Sequence, residues 1–113
     1  MDYELTEQQN EIRDLAYGAA VRHFKPIREK CDETETFPWD EIREVAQTGI
    51  GGVYLPEAYG GLGGGIFELV LVIEQLSRVC GGIALGFAAS GLGTLPILML
   101  GAAEQRERWL PDL

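Results

Sequence analysis

Ile66-Phe67-Glu68-Leu69-Val70-Leu71-Val72-Ile73-Glu74-Gln75-Leu76-Ser77-Arg78-Val79 decides the fold class of this 113-residue chain. Its β-branched run, Val70, Val72 and Ile73, is compatible with a buried strand. The length of the stretch and the spacing Leu69, Val72, Ile73, Leu76 favour a helix, because apolar residues recur at i, i+3, i+4 and i+7. Charges enter only at Glu68, Glu74 and Arg78. Apolar side chains therefore point in almost every direction. A helix of that kind belongs at the centre of a bundle.

Helical signals continue on either side. Thr6 and Gln9 have capping-box spacing. After them Ile12, Leu15, Ala16, Ala19, Ala20, Phe24 and Ile27 form one apolar stripe of period 3.6. Pro26 removes a backbone donor, so a kink is expected, with the helix running on to about Asp32. Pro38 suits a first turn, and Asp40 and Glu41 suit a helix N-terminus. Ile42, Val45 and Ala46 form that second helix's buried side, and Gly49 is a natural stop.

Eight of the 15 glycines then fall between Gly49 and Gly65, in a long loop whose Tyr54-Leu55-Pro56 reads as extended. After the break at Cys80-Gly81-Gly82, Ile83 to Leu100 interleaves large apolar residues with alanine and glycine. Gly101 ends that helix, and Ala102 to Leu110 begins a short one. Val79 to Ala103 is long enough to raise the membrane question, but small residues and Pro96 dilute it. It reads as a buried helix region. The sum is an all-α bundle of about five helices, with a Gly/Pro-rich loop between the second and third, in one domain over 1–113.

The formal net charge of −9 argues against a nucleic-acid partner. Acids concentrate in the first half, so that half reads as solvated and the second half as covered. Cys31 and Cys80 lack any C-x-x-C spacing and read as free thiols, with neither zinc site nor disulfide framework. The acidic start, Met1-Asp2-Tyr3-Glu4, is unlike a signal peptide, and the location expected is cytoplasmic or an organelle matrix.

No catalytic constellation assembles. His23 is the single histidine and reads as structural, since it lacks the neighbours of a base or ligand. Ser77 and Ser90 have no histidine close in sequence. Glu68 and Glu74 are six apart and do not form a side-by-side pair. The glycine loop is neither a Walker motif nor a dinucleotide fingerprint. No metal site is indicated.

Pro56-Glu57-Ala58-Tyr59-Gly60-Gly61-Leu62-Gly63 resembles the Pro-Glu-x-Tyr-Gly-Gly-x-Gly loop of the acyl-CoA dehydrogenase N-terminal domain. The likeness extends along the chain. Leu5-Thr6-Glu7-Gln8-Gln9 with Ile12-Arg13 is similar to that family's opening helix. Pro26, Asp32 and Phe37-Pro38 follow its order. Glu74-Gln75-Leu76-Ser77 resembles its Glu-Glu-Leu/Ile-Ser helix, with Gln75 in place of the second acid. Gly101-Ala102-Ala103-Glu104-Gln105-Arg106 and Trp109-Leu110-Pro111 resemble its closing segments.

The resemblance implies the first of three domains of a flavoenzyme of fatty acid metabolism. Such an enzyme removes the α and β hydrogens of an acyl-CoA thioester, with FAD as hydride acceptor and a glutamate as base. The base and the main FAD-contacting segments belong to the other two domains, so the residues in hand are expected to be inactive alone. An electron-transfer flavoprotein or a similar acceptor and a homo-oligomer are implied for the whole enzyme.

Alignment on Gly93 and Pro96 places Ala84, Leu85, Ala88 and Leu92 on the wall of the acyl pocket. Small residues there leave room for a medium, long, branched or cyclic acyl group, although they equally serve tight helix packing. The loop reads as a docking surface or as part of the closure near the thioester. An acyl-CoA oxidase or flavin monooxygenase of the same superfamily is the nearest alternative. A free-standing helical interaction module is the other, and it predicts a mostly polar exterior where a domain of a larger enzyme predicts exposed apolar faces.

Overall fold

The computed structural model describes residues 3–112. Met1 and Asp2 of the acidic start and Leu113 of the closing segment lie outside the described residues. Six α-helices and three short 3-10 turns make up the described residues, with no strand among them. The all-α expectation holds, and Ile66–Ser77 is the helix that settled it.

Helix α1 (Glu7–His23) starts where its cap dictates. The Gln9 backbone N–H donates to the Thr6 hydroxyl at 3.2 Å, and the Thr6 N–H donates to the Gln9 side chain at 3.0 Å. Ile12, Ala16, Ala19 and Ala20 are buried, as is Phe24 just beyond. Leu15 departs from the expected stripe and is 46% exposed, because it lies about 100° round the helix from Ala16.

The kink expected at Pro26 is a full break. The helix ends at His23, a turn covers 24–27, and α2 (Arg28–Thr34) begins anew. Pro26 has no N–H for the Arg22 carbonyl. The chain instead closes a turn through Ile27 N–H and Arg28 N–H, both donating to the Phe24 carbonyl. This break makes six helices instead of about five. No residue of α2 is buried. The Arg28 guanidinium ties it to the body, donating to the Val79 carbonyl at 2.8 Å.

Helix α3 (Trp39–Ala46) buries Val45 and half-buries Ile42, while Ala46 is exposed, contrary to the sequence reading. At two turns long, it meets the core along one edge only. Gly49 lies at φ 86°, a left-handed conformation that suits its role as the stop.

The long loop carries short turns at Ile50–Gly52 and Glu57–Tyr59, and Pro56 between them has the extended dihedrals φ −57° and ψ 147°. Ile50, Val53, Tyr54 and Leu55 are buried in the common core. The far arm returns over the near one. Gly63 N–H donates to the Leu55 carbonyl at 2.8 Å, and Gly64 N–H to the Val53 carbonyl at 2.9 Å. Gly61 passes so close to Leu55 that a Cβ there would lie 2.5 Å from the Leu55 Cβ.

Helix α4 (Ile66–Ser77) packs on α1 on one side and on α5 (Gly81–Leu100) on the other. Its first turn is pinned at Glu68, which accepts from Gly65 N–H at 2.7 Å and from the Gln9 amide at 2.9 Å. Those bonds, the Gln9 one foremost, hold the Glu68 carboxyl below its ordinary pKa. Phe24, just after α1, and Phe87 of α5 meet in the core with ring centroids 6.2 Å apart. Helix α6 (Ala103–Trp109) closes the bundle, and Leu110 beyond it is fully buried.

Among the described residues α5 is the one helix long and apolar enough to cross a membrane, by length and composition. It was expected to be buried. Only Ile83, Ala84, Phe87, Gly91 and Thr94 are, and 28% of its most apolar stretch is covered. The second half, expected to be covered, is covered along most of α4 and at Leu110, but not along the outer side of α5. Neighbouring helices shield α5 from one side, and its other side is bare.

An apolar recess between α4 and α5

The bare side of α5 and the outer side of α4 face the same space. Ile66, Phe67 and Val70 of α4 and Leu85, Leu92, Met99 and Leu100 of α5 are all more than half exposed. Between the helices lies an open recess of about 400 Å³, lined by Leu69, Val70, Ile73, Glu74 and Ala88. Its wall is carbon except where Glu74 contributes at the edge.

The recess arises from residue size. Leu69 and Ile73 project toward α5 at i, i+4 spacing, and Ala88 opposite them is too short to fill the gap. Gly91, one turn further along α5, lets Leu69 come close.

The four residues assigned to the pocket wall do not all stand together. Ala88 lines the recess. Leu85 and Leu92 are 63% and 74% exposed, on the bare side of α5 next to it. Ala84 is fully buried in the core and faces away from the bare side. Leu85, Ala88 and Leu92 fall within about 60° of one another, whereas Ala84, about 100° from Leu85, lies only about 40° from Ala88, so its burial reflects the packing at that end of α5 and not the helix periodicity alone. The sequence reading missed the α4 half of the wall, Leu69, Val70, Ile73 and Glu74. The signal was present, because a helix apolar all round must show some of that surface to something beyond its immediate neighbours.

Glu74 is the one ionisable side chain among the described residues that line this recess. His23 pairs with Glu44 at 2.8 Å, linking α1 to α3, in keeping with a structural role. Gln75 is buried and accepts from the Arg78 guanidinium at 2.7 Å. Arg78 also lies over the Tyr17 ring, 4.4 Å from its centroid. Among the described residues no group of three or more His, Cys, Asp or Glu is placed to hold a metal. Cys31 and Cys80 are free thiols. The arrangement is an open apolar surface with one carboxylate beside it.

The family model described as acyl-CoA dehydrogenase, N-terminal domain, matches residues 6–113. A short-chain specific acyl-CoA dehydrogenase of Clostridium acetobutylicum is 35% identical over 115 residues, spanning 100% of this chain and 30% of that protein. The structure of butyryl-CoA dehydrogenase from Megasphaera elsdenii superposes with a TM-score of 0.93 at 29% identity, over 99% of this chain and 30% of that one. A chain from work on the electron transferring flavoprotein of Acidaminococcus fermentans and flavin-based electron bifurcation superposes with a TM-score of 0.92. That chain is 32% identical, over 99% of this chain and 30% of its own length. The chain thus spans about 30% of the length of the relatives it matches.

Proposed function

Because the chain belongs to the acyl-CoA dehydrogenase family, as its N-terminal domain, we propose that its α4–α5 face is one wall of the acyl pocket in an enzyme that introduces a double bond between the α and β carbons of an acyl-CoA. The observation that carries this is the recess lined by Ala88, flanked by exposed Leu85 and Leu92. The family resemblance at those three residues and their position on the bare side of α5 support the reading. The fourth, Ala84, supports the wall from behind.

The residues of this chain shape and dry the site. An alkyl chain laid against Leu69, Val70, Ile73 and Ala88 exchanges water for carbon contacts, at roughly 0.8 kcal/mol per buried CH₂. That binding fixes where the reacting carbons lie relative to groups carried elsewhere, which is a positioning contribution to the rate. Flavin, when bound, supplies the acceptor for the β hydrogen. The recess does not fit that cofactor: no basic side chain lines it, whereas a flavin dinucleotide carries a diphosphate. FAD binding, the catalytic base and the contacts that make a homo-oligomer are therefore assigned to the rest of the enzyme, and residues 1–113 alone are expected to be inactive.

An electron-transfer flavoprotein as redox partner is part of the same proposal, supported by the chain from the Acidaminococcus work. The bare side of α5 is read as a pocket and docking wall, not a membrane span. Its close packing on α4 through Gly91 supports that reading. A free-standing interaction module is disfavoured by the same exposed leucines.

The test is turnover by the full-length enzyme, followed as reduction of an artificial electron acceptor with straight, branched and aryl acyl-CoA substrates. Turnover of one class supports the proposal. No reduction with any of them refutes it.

A further inference from the structure

Gly91 is buried in α5 at its contact with α4. A Cβ built there would lie 2.9 Å from Cδ2 of Leu69, closer than carbon atoms pack. The clash involves the far end of a flexible side chain, so the cheapest response is for Leu69 to turn. Its inner side is packed core, since Leu69 is only 9% exposed, and interiors at crystal-like density have no room to give. Its open side is the recess it lines. A side chain added at position 91 thus drives Leu69 into the space facing Ala88.

We propose that Leu69 and Gly91 together set the length and bulk of the acyl group the enzyme admits, Gly91 acting as a positioning residue through the Leu69 side chain. The proposal rests on the acyl-pocket reading above. In the native chain Gly91 holds Leu69 back against α5, and the recess stays open. Gly93, two residues on, has nothing within 4 Å of its Cβ position and provides an internal control. Alanine at 91 or 93 changes helix propensity alike, but only the change at 91 moves Leu69.

The experiment measures kcat/KM of the full-length enzyme over a series of acyl-CoA chain lengths. The readout is the ratio between the longest and shortest substrates turned over. Gly91→Ala is expected to lower that ratio about tenfold, the effect of roughly one methylene in a hydrophobic pocket. Gly93→Ala is expected to leave it unchanged. In a Leu69→Ala background the Gly91→Ala effect should vanish, because the group it displaces is gone. Leu69→Phe, which fills the recess directly, should lower the ratio with Gly91 intact, and it decides the matter if Gly91→Ala does not fold.

An unchanged ratio in Gly91→Ala or Leu69→Phe, with acyl-CoA turnover intact, overturns this proposal alone. So does an equal Gly91→Ala effect with and without Leu69. Absence of turnover with every acyl-CoA by the unaltered enzyme overturns the acyl-pocket reading and this proposal with it.

Discussion

Replacing Gly61 by alanine tests whether the glycine loop is a folded unit or a slack connection. A Cβ at Gly61 would sit 2.5 Å from the carbonyl carbon and the Cβ of Leu55, and would overlap the carbonyl oxygen. These are backbone and near-backbone atoms, and Leu55 is 3% exposed. Neither partner can step aside, so the two arms must part. Parting them stretches the Gly63–Leu55 and Gly64–Val53 hydrogen bonds, at 2.8 and 2.9 Å. Each is worth about 1 kcal/mol net, with about 1–2 kcal/mol more if a buried carbonyl is left unpaired. The local cost is therefore about 2–4 kcal/mol, or a fall in amide protection of roughly 30- to 1,000-fold. Hydrogen exchange read by mass spectrometry, on the enzyme carrying this domain, should show the loss in peptides covering 53–64. Gly18→Ala is the matching control. It lies in α1 with nothing within 4 Å of its Cβ position, so alanine there should slow exchange, by about 0.5–1 kcal/mol of helix stability. A loop whose protection changes less than tenfold in Gly61→Ala would show that the close approach is not a constraint.

Phe24→Ala removes a fully buried ring stacked near Phe87, and should destabilise the domain by about 3–5 kcal/mol in denaturant unfolding; a loss under about 1 kcal/mol would contradict that packing. Glu68 has a lowered folded-state pKa, so its stabilising contribution is present above the ordinary carboxyl value of 4.5 and is lost as pH falls through the lowered value. The melting-temperature difference between the native protein and Glu68→Gln should accordingly shrink on acidification below that value, and a pH-independent difference would refute the linkage. Ala88→Phe should abolish turnover of the longest acyl-CoA substrates while sparing the shortest, with no shift in melting temperature, since Ala88 borders open space; uniform loss across chain lengths would remove Ala88 from the pocket wall.

Much of the fold was legible because the relevant signals are local. The Thr6–Gln9 box marks the start of α1 without help from tertiary structure. The spacing Leu69, Val72, Ile73, Leu76 fixed α4 as a helix against the β preference of Val70 and Ile73. What failed was whatever depends on a second element. A stripe in phase across Pro26 suggested one kinked helix, but phase records which side is buried, not whether the backbone bonds persist. Leu15 and Ala46 carry the right hydropathy at the wrong azimuth. The return of Gly61 over Leu55 is a contact no local preference encodes. The recess divides the same way: the family resemblance pointed to α5, where Ala88 lines it, but a single helix gives no view of Leu69, Val70, Ile73 and Glu74 across the gap.

The hydropathy of α5 has three physical readings: buried core, membrane span, or a surface shared with another body of protein. Burial by this chain is insufficient, at 28% of its most apolar stretch. A lipid-facing helix would keep its backbone donors paired and need no close neighbour. Gly91 of α5 draws α4 near enough to form a recess. Apolar exposure and a concavity of about 400 Å³ together favour the third reading, the one proposed above. Leu85 and Leu92 should then pass from exposed to protected when the remaining segments are present, which side-chain footprinting of the full-length enzyme measures; both leucines labelling freely there would overturn the shared-surface reading.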